Sequence, residues 1–233
     1  MPDQSVITAI ITAGGLGTRL VSETPKQFLL LKGRPLLYWA IDKFYNSREI
    51  SNIIITLPAR MIAAWNNEIR RDFPDKEIII ISGGRERQDS VFKALLKCPP
   101  DCDYVVIHDG VRPFIRDQEI SAICHLVRKK KAVIAAAEVT DTIKEVESSL
   151  IVRTIPRERL YRAQTPQAFD FKLIMNCHQK ARTNELSFTD DAALLEHYGY
   201  PVHIFPAGSH NFKITTVTDL LLAETLLAQN TAE

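Results

Sequence analysis

The sequence predicts one α/β domain built on a mostly parallel sheet with helices over both faces. Three observations lead there. Six short runs rich in Ile, Val and Ala are almost continuously apolar rather than alternating, the pattern of strands buried on both sides. Stretches with apolar residues at helical spacing lie between them. The chain of 233 residues, 45% hydrophobic and 24% charged, is long enough to bury one large core, and no internal repeat or low-complexity linker divides it.

The expected strands are Val6 to Ile11, Ile53 to Leu57, Ile78 to Ile81, Tyr104 to Ile107, Val133 to Ala137 and Val202 to Phe205. The expected helices are Pro35 to Phe44, Asp89 to Leu96, Gln118 to Val127, Phe171 to Ala181, Asp190 to His197 and Val217 to Leu227, the last with Thr218 and Asp219 as caps. Met61 and Trp65, four apart, read as core, and Lys129-Lys130-Lys131 as an exposed helix end whose cations suit the C-terminal dipole. Val139 to Arg162 breaks the alternation, being too polar for a core strand. Its β-prone pieces, Thr142 to Val146 and Leu150 to Ile155, flank Glu147-Ser148-Ser149, so a hairpin leaving the body of the domain is expected. A lone hairpin is marginal in water and needs a partner surface. The domain is thus expected over 1–233, with a protruding arm at about 139–162.

With 29 Lys and Arg against 28 Asp and Glu, the net charge of +1 supplies no global field for nucleic acid or an anionic membrane. Val6 to Ala13 is broken by Thr8 and Thr12 and lacks a cationic lead, so it fits neither a secretory signal nor a transmembrane span; the expectation is a cytoplasmic protein. Cys98, Cys102, Cys124 and Cys177 include one close pair and no second pair to complete a metal site, which reads as reduced thiols.

The most informative stretch follows the first strand: Thr12-Ala13-Gly14-Gly15-Leu16-Gly17-Thr18-Arg19, then Pro25-Lys26-Gln27-Phe28. Glycines just past a parallel strand let backbone N–H groups approach an anion, at the sheet edge where open α/β folds bind ligands; a plain tight turn is the bland alternative. A dinucleotide fingerprint would need glycine at position 20, where Leu20 stands, and no P-loop Gly-Lys-Ser/Thr follows. Arg19 and Lys26 are two cations that this loop can aim at one phosphate.

The glycine loop with Pro25-Lys26 resembles the signature of nucleotidyltransferases that join NTPs to sugar or polyol phosphates. Gly83-Gly84-Arg85-Glu86-Arg87-Gln88-Asp89-Ser90, His108-Asp109-Gly110-Val111-Arg112-Pro113, Asp141-Thr142-Ile143-Lys144, Gln164-Thr165-Pro166-Gln167, Thr189-Asp190-Asp191 and Asn211-Phe212-Lys213 narrow it. Together, in order along nearly the whole chain, they resemble the 2-C-methyl-D-erythritol 4-phosphate cytidylyltransferase family. Val111 and Tyr161 also occur in the sister family acting on ribitol 5-phosphate, whereas the step from Arg19 to Lys26 and the run Thr189 to Glu196 side with the methylerythritol family. The alternatives are a pentitol phosphate enzyme, a sugar 1-phosphate nucleotidyltransferase, and a regulator that binds nucleotide without turnover.

The resemblance implies a Rossmann-like nucleotidyltransferase fold and attack by a phosphate monoester on the α-phosphorus of CTP, expelling pyrophosphate. Such a nucleophile is already anionic and needs no general base, so positioning and electrostatic stabilisation carry the rate. It assigns Arg19, Lys26, Arg157 and Lys213 to catalysis and Ala13, Gly14, Gly15, Gly84, Arg85, Ser90 and Asp109 to the nucleotide. Arg112, Thr142, Arg157, Thr165, Thr189 and Lys213 fall to the acceptor, and Asp109 to a magnesium ion. In the family the 139–162 arm embraces a second subunit, implying a homodimer. Bland readings stand beside several of these: Arg85 and Arg87 as a solvated helix cap, Thr189, Asp190 and Asp191 as another cap, and His108 as a hydrogen-bonded core histidine.

Overall fold

The computed structural model describes residues 5–15 and 25–229. In chain order these form β1 (Val6–Thr12), β2 (Leu30–Leu31), β3 (Arg34–Pro35), α1 (Leu36–Tyr45), β4 (Asn52–Leu57), α2 (Ile62–Asp72) and β5 (Ile78–Ser82). There follow α3 (Arg87–Leu95), β6 (Cys102–Asp109), α4 (Asp117–Lys130), β7 (Ala132–Glu138), β8 (Ile143–Glu147) and β9 (Leu150–Ile155). The rest comprises β10 (Tyr161–Asp170), α5 (Phe171–Thr183), α6 (Asp191–His197), β11 (His203–Pro206) and α7 (Val217–Gln229). Among the described residues, seven strands make one sheet in the order β11-β7-β10-β6-β1-β4-β5.

Period-2 alternation explains the layers. On β1, Ile7, Ala9 and Ile11 face the cluster formed with Leu37, Ile41 and Phe44 of α1, Ile69 of α2 and Ile120, Ile123 and Val127 of α4. Ile10 faces the opposite cluster, with Val91 and Leu95 of α3, Ile174 and Cys177 of α5 and Leu194 and Leu195 of α6. Both faces are therefore dry, which is why the strands read as continuous apolar runs. α7 closes a smaller third cluster through Ala223 against Leu31, Leu36, Val111 and Ile214.

All six expected strands and all six expected helices are present. The sequence reading passed over β10, which pairs antiparallel with both β6 and β7 in the interior of the sheet. Its polar run Gln164-Thr165-Pro166-Gln167 lacks a strand signature because it is a bulge: the pairing with β7 jumps between Ala163 and Gln167, and Thr165–Pro166 is cis. Also passed over was α2, which carries Trp65; Met61 and Trp65 are half-buried against the core. The cap of α7 is Thr216 rather than Thr218: the Thr216 Oγ1 accepts from Asp219 N at 3.2 Å, while the Asp219 carboxylate accepts from Thr216 N at 2.8 Å. Lys129 and Lys130 are exposed at the end of α4, and Lys131 caps it with φ of 66°.

β8 and β9 form the expected hairpin as a separate two-stranded sheet. Ser148 and Ser149 both have positive φ, 47° and 69°, the signature of a two-residue turn whose twist matches its strands.

Candidate active site

Every strand of the sheet except β10 runs the same way, so the loops after β1, β5 and β6 emerge together at one edge. Ala13 leaves β1 with its N–H on Thr56 O at 3.0 Å, and Gly83 leaves β5 with its N–H on Leu57 O at 2.8 Å. The two glycine loops then press together: a Cβ on Gly14 would lie 3.1 Å from the Gly83 Cα and one on Gly83 3.0 Å from the Gly14 Cα, so a side chain on either would push the loops apart. Ser90, on the first turn of α3, ties the second loop down by accepting from Gly84 N at 2.9 Å and donating to Glu86 O at 3.1 Å. Around this junction lies a cavity of about 150 Å³, lined by Ala13, Gly14, Gly15, Lys26, Gly84, Arg85, Arg87, Ser90, Asp109 and Lys213 among others. Backbone amides with flanking cations suit a nucleotide and its phosphates.

Asp109 ends β6 at the floor of the cavity and is 5% exposed. Its Oδ1 accepts from Arg87 Nε at 3.3 Å and Thr12 Oγ1 at 3.4 Å; its Oδ2 accepts from Lys213 Nζ at 2.9 Å and Arg112 Nε at 3.3 Å. Burial alone would raise the carboxyl pKa, but Arg87, Lys213 and Arg112 outweigh it and hold Asp109 ionised, well below the usual carboxylate range. One carboxylate thus gathers three cations from three segments of the chain.

A second cavity of about 260 Å³ lies on the other side of this cluster, lined by Arg87, Asp109, Arg112, Gln164, Thr165, Gln167, Thr189, Asp190 and Lys213 among others. Arg87, Asp109 and Lys213 are common to both cavities. Arg112 is fixed by Nη1 donating to Asn211 O at 2.8 Å, and Asn211 Nδ2 in turn donates to Thr165 O at 2.8 Å. The Thr165 hydroxyl is committed internally: it accepts from Asp109 N at 3.0 Å and lies 3.1 Å from His108 Nδ1. His108 Nε2 lies 3.0 Å from Arg112 O, which can only accept; Nε2 therefore carries the proton and Nδ1 accepts from Thr165. His108 is a fully buried core histidine, its pKa pushed down to about 4 chiefly by burial.

Of the residues expected at the site, the structure brings Ala13, Gly14, Gly15, Lys26, Gly84, Arg85, Ser90, Asp109 and Lys213 to the first cavity, and Arg112, Thr165, Thr189, Asp109 and Lys213 to the second. Arg19 lies outside the described residues, as do Leu16, Gly17, Thr18 and Leu20. Thr142 and Arg157 are exposed at the root of the hairpin and line neither cavity. The helix-cap reading fits Asp190, whose carboxylate accepts from Ala193 N at 2.9 Å, and fails for Arg87. The cap of α3 is Glu86 with Asp89, while Arg87 turns inward to Asp109 and, at 2.6 Å, to Asp191. Asp191 is buried, and its carboxyl is held low by Arg87 and by His178 at 3.1 Å although burial pushes it up. Arg87, Asp191 and Gln27 escaped the sequence reading as site residues; an arginine within a charge run carries no mark of its distant partner.

Among the described residues no three His, Cys, Asp or Glu side chains cluster to make a closed metal cage. Asp109, a hard oxygen donor kept ionised, would hold a magnesium ion by exchanging one of the donors now on its carboxylate, such as Lys213 or Arg112, for the metal.

The comparisons with known proteins agree along the chain. The family profile IspD, described as 2-C-methyl-D-erythritol 4-phosphate cytidylyltransferase, matches residues 7–229. The protein of that name from Halalkalibacterium halodurans is 40% identical over 222 residues, 95% of this chain and 97% of the relative. Its counterpart from Syntrophus aciditrophicus is 40% identical over 224 residues, 95% of each. Among solved structures, the 4-diphosphocytidyl-2C-methyl-D-erythritol synthase of Anaerococcus prevotii superposes with a TM-score of 0.86 at 31% identity, covering 96% of both chains. The Thermus thermophilus 2-C-methyl-D-erythritol 4-phosphate cytidylyltransferase gives 0.76 at 30% identity, over 94% of this chain and 98% of that one.

Proposed function

The chain belongs to the 2-C-methyl-D-erythritol 4-phosphate cytidylyltransferase family, and from that premise we propose where its reaction takes place. The enzyme joins CTP to 2-C-methyl-D-erythritol 4-phosphate, giving 4-diphosphocytidyl-2-C-methyl-D-erythritol and pyrophosphate in isoprenoid precursor synthesis. CTP lies in the cavity at the glycine loops, the methylerythritol phosphate in the cavity at Arg112 and Thr189, and the transfer crosses the shared wall. The observation that carries this reading is that wall: Arg87 and Lys213, gathered on Asp109, face both cavities at once.

The acceptor phosphate is the nucleophile and needs no base, so the protein's work is placement and charge. Ser90, Gly84 and the Ala13–Gly15 backbone hold the cytidine end, and Arg85 flanks it. Lys26 faces the triphosphate and offsets negative charge as the pentavalent centre forms, a role the family resemblance gives Arg19 as well; Arg112 and Lys213 orient the attacking phosphate. A magnesium ion held by Asp109 supplies charge neutralisation of the triphosphate oxygens when bound.

Two further features belong to this reading. The hairpin leaves Val146, Leu150, Ile151 and Val152 bare, Leu150 at 74% exposure, and a second copy of the chain is the partner that covers them. In that homodimer Thr142 and Arg157 serve the partner's acceptor cavity. Among the described residues no helix is long and apolar enough to cross a membrane. The phosphorylated, water-soluble substrates suit a cytoplasmic enzyme, and the chain's net charge of +1 offers nucleic acid no global field.

Steady-state kinetics separate the two cavities. Ser90→Ala is expected to raise the KM for CTP and leave that for methylerythritol phosphate, and Thr189→Val to do the reverse. A shift of both constants together in either variant contradicts the assignment.

A further inference from the structure

We propose that Gln27 is a positioning residue that acts through Lys26, locking the turn that carries Lys26 onto the glycine loop that grips the nucleotide. This rests on the reading of Lys26 as a cation for the transferring phosphoryl group. Gln27 is 1% exposed, and its Nε2 donates to Ala13 O at 2.7 Å and to Gly15 O at 3.1 Å. Both amide hydrogens are thus spent on two carbonyls of one loop. A Leu or Met would fill the same space without either bond, so packing alone does not account for a buried carboxamide here. Because the peptide unit is planar, fixing the Ala13 carbonyl also fixes the Gly14 N–H on its far side.

The turn is held elsewhere by different means. It closes on itself through Phe28 N to Pro25 O at 2.9 Å and Leu29 N to Lys26 O at 3.2 Å. Phe28, 4% exposed, stacks on Trp65 with ring centroids 4.4 Å apart. Lys26 therefore sits between an apolar anchor into the core and a polar anchor to the nucleotide loop, and the second ties it directly to the backbone proposed to hold the nucleotide. Transfer that depends on placed charge is sensitive to where that charge sits: a misplacement of about 1 Å can cost on the order of 10²-fold.

The test is a double-mutant cycle in kcat between Gln27→Met, which keeps the length and removes both donors, and Lys26→Ala. Thermal unfolding is followed in parallel, and Gln27→Asn, too short to reach both carbonyls, is run alongside in case the Met variant folds poorly. The expected result is a loss in kcat of about tenfold or more in the native background and of less than about twofold once Lys26 is already alanine. Equal fold-losses in the two backgrounds, or no loss in the native one, overturn the role of Gln27 while leaving Lys26 in place. Near-normal turnover in Lys26→Ala alone contradicts the reading of Lys26 itself, and this inference with it.

Discussion

Three cations on one buried carboxylate make an arrangement that costs stability unless every charge is answered, and at Asp109 the answers come from Arg87, Arg112 and Lys213. Behind it, the hydrogen-bond chain from Asp109 N through the Thr165 hydroxyl to His108, and from His108 to the Arg112 carbonyl, fixes the loop that carries two of these residues. That chain requires neutral His108, whose pKa is about 4 in the fold against about 6.5 in the unfolded chain. Between those values the unfolded state binds more protons, so stability is full above pH 6.5 and falls as the pH drops toward 4. Asp109 and Asp191, held below the usual carboxylate range, add their losses only at lower pH. Denaturant unfolding at pH 7.5 and pH 5 should therefore differ by about 2 kcal/mol, and by much less in His108→Gln; an equal difference in the variant would assign the pH dependence elsewhere. His108 was legible as a core residue from its place in an apolar strand. Arg87 was not, because its role depends on Asp191, which only the fold brings beside it.

The strands that shape the site differ in how well they announce themselves. β1, β4, β5 and β6 are apolar on both faces and could be read directly; β10 could not, since its central residues are chosen to line a cavity and bond a loop rather than to pack. The glycine turns were legible as a phosphate-type loop, but not that two of them meet. Their crowding makes a specific prediction. A Cβ on Gly84 would fall 2.1 Å from the Asp89 Cβ and 2.9 Å from the Asp89 carbonyl carbon, so the loop or the first turn of α3 must move and the Gly84–Ser90 bond with it. Gly84→Ala is expected to lose about 1–3 kcal/mol of stability by overpacking. It should also raise the KM for CTP while sparing that for methylerythritol phosphate, as initial-rate measurements with each substrate varied would show. An unchanged KM for CTP would take the second glycine loop out of the nucleotide site.

On the scale of the molecule, a sheet with six strands running one way collects the loops that line the two cavities at one edge, while Thr142 and Arg157, at the root of the hairpin, line neither cavity. The polar break at Val139 to Arg162 made the arm visible in the sequence; the expectation of a second subunit came from the family resemblance instead, since a surface on another copy would leave no local pattern. If Arg157 works across a two-fold axis, Arg157→Ala and Lys26→Ala subunits, each nearly inactive, should regain activity on mixing, because one of the two pockets in a mixed dimer carries neither defect. Verified heterodimers without recovery would place Arg157 in its own subunit's site. The most direct test of the whole account is pyrophosphate release from CTP and magnesium with methylerythritol 4-phosphate or ribitol 5-phosphate as acceptor, measured as kcat/KM. Release that depends on methylerythritol 4-phosphate and is far weaker with ribitol 5-phosphate is the predicted result; preference for ribitol 5-phosphate, or no release with either, would contradict it.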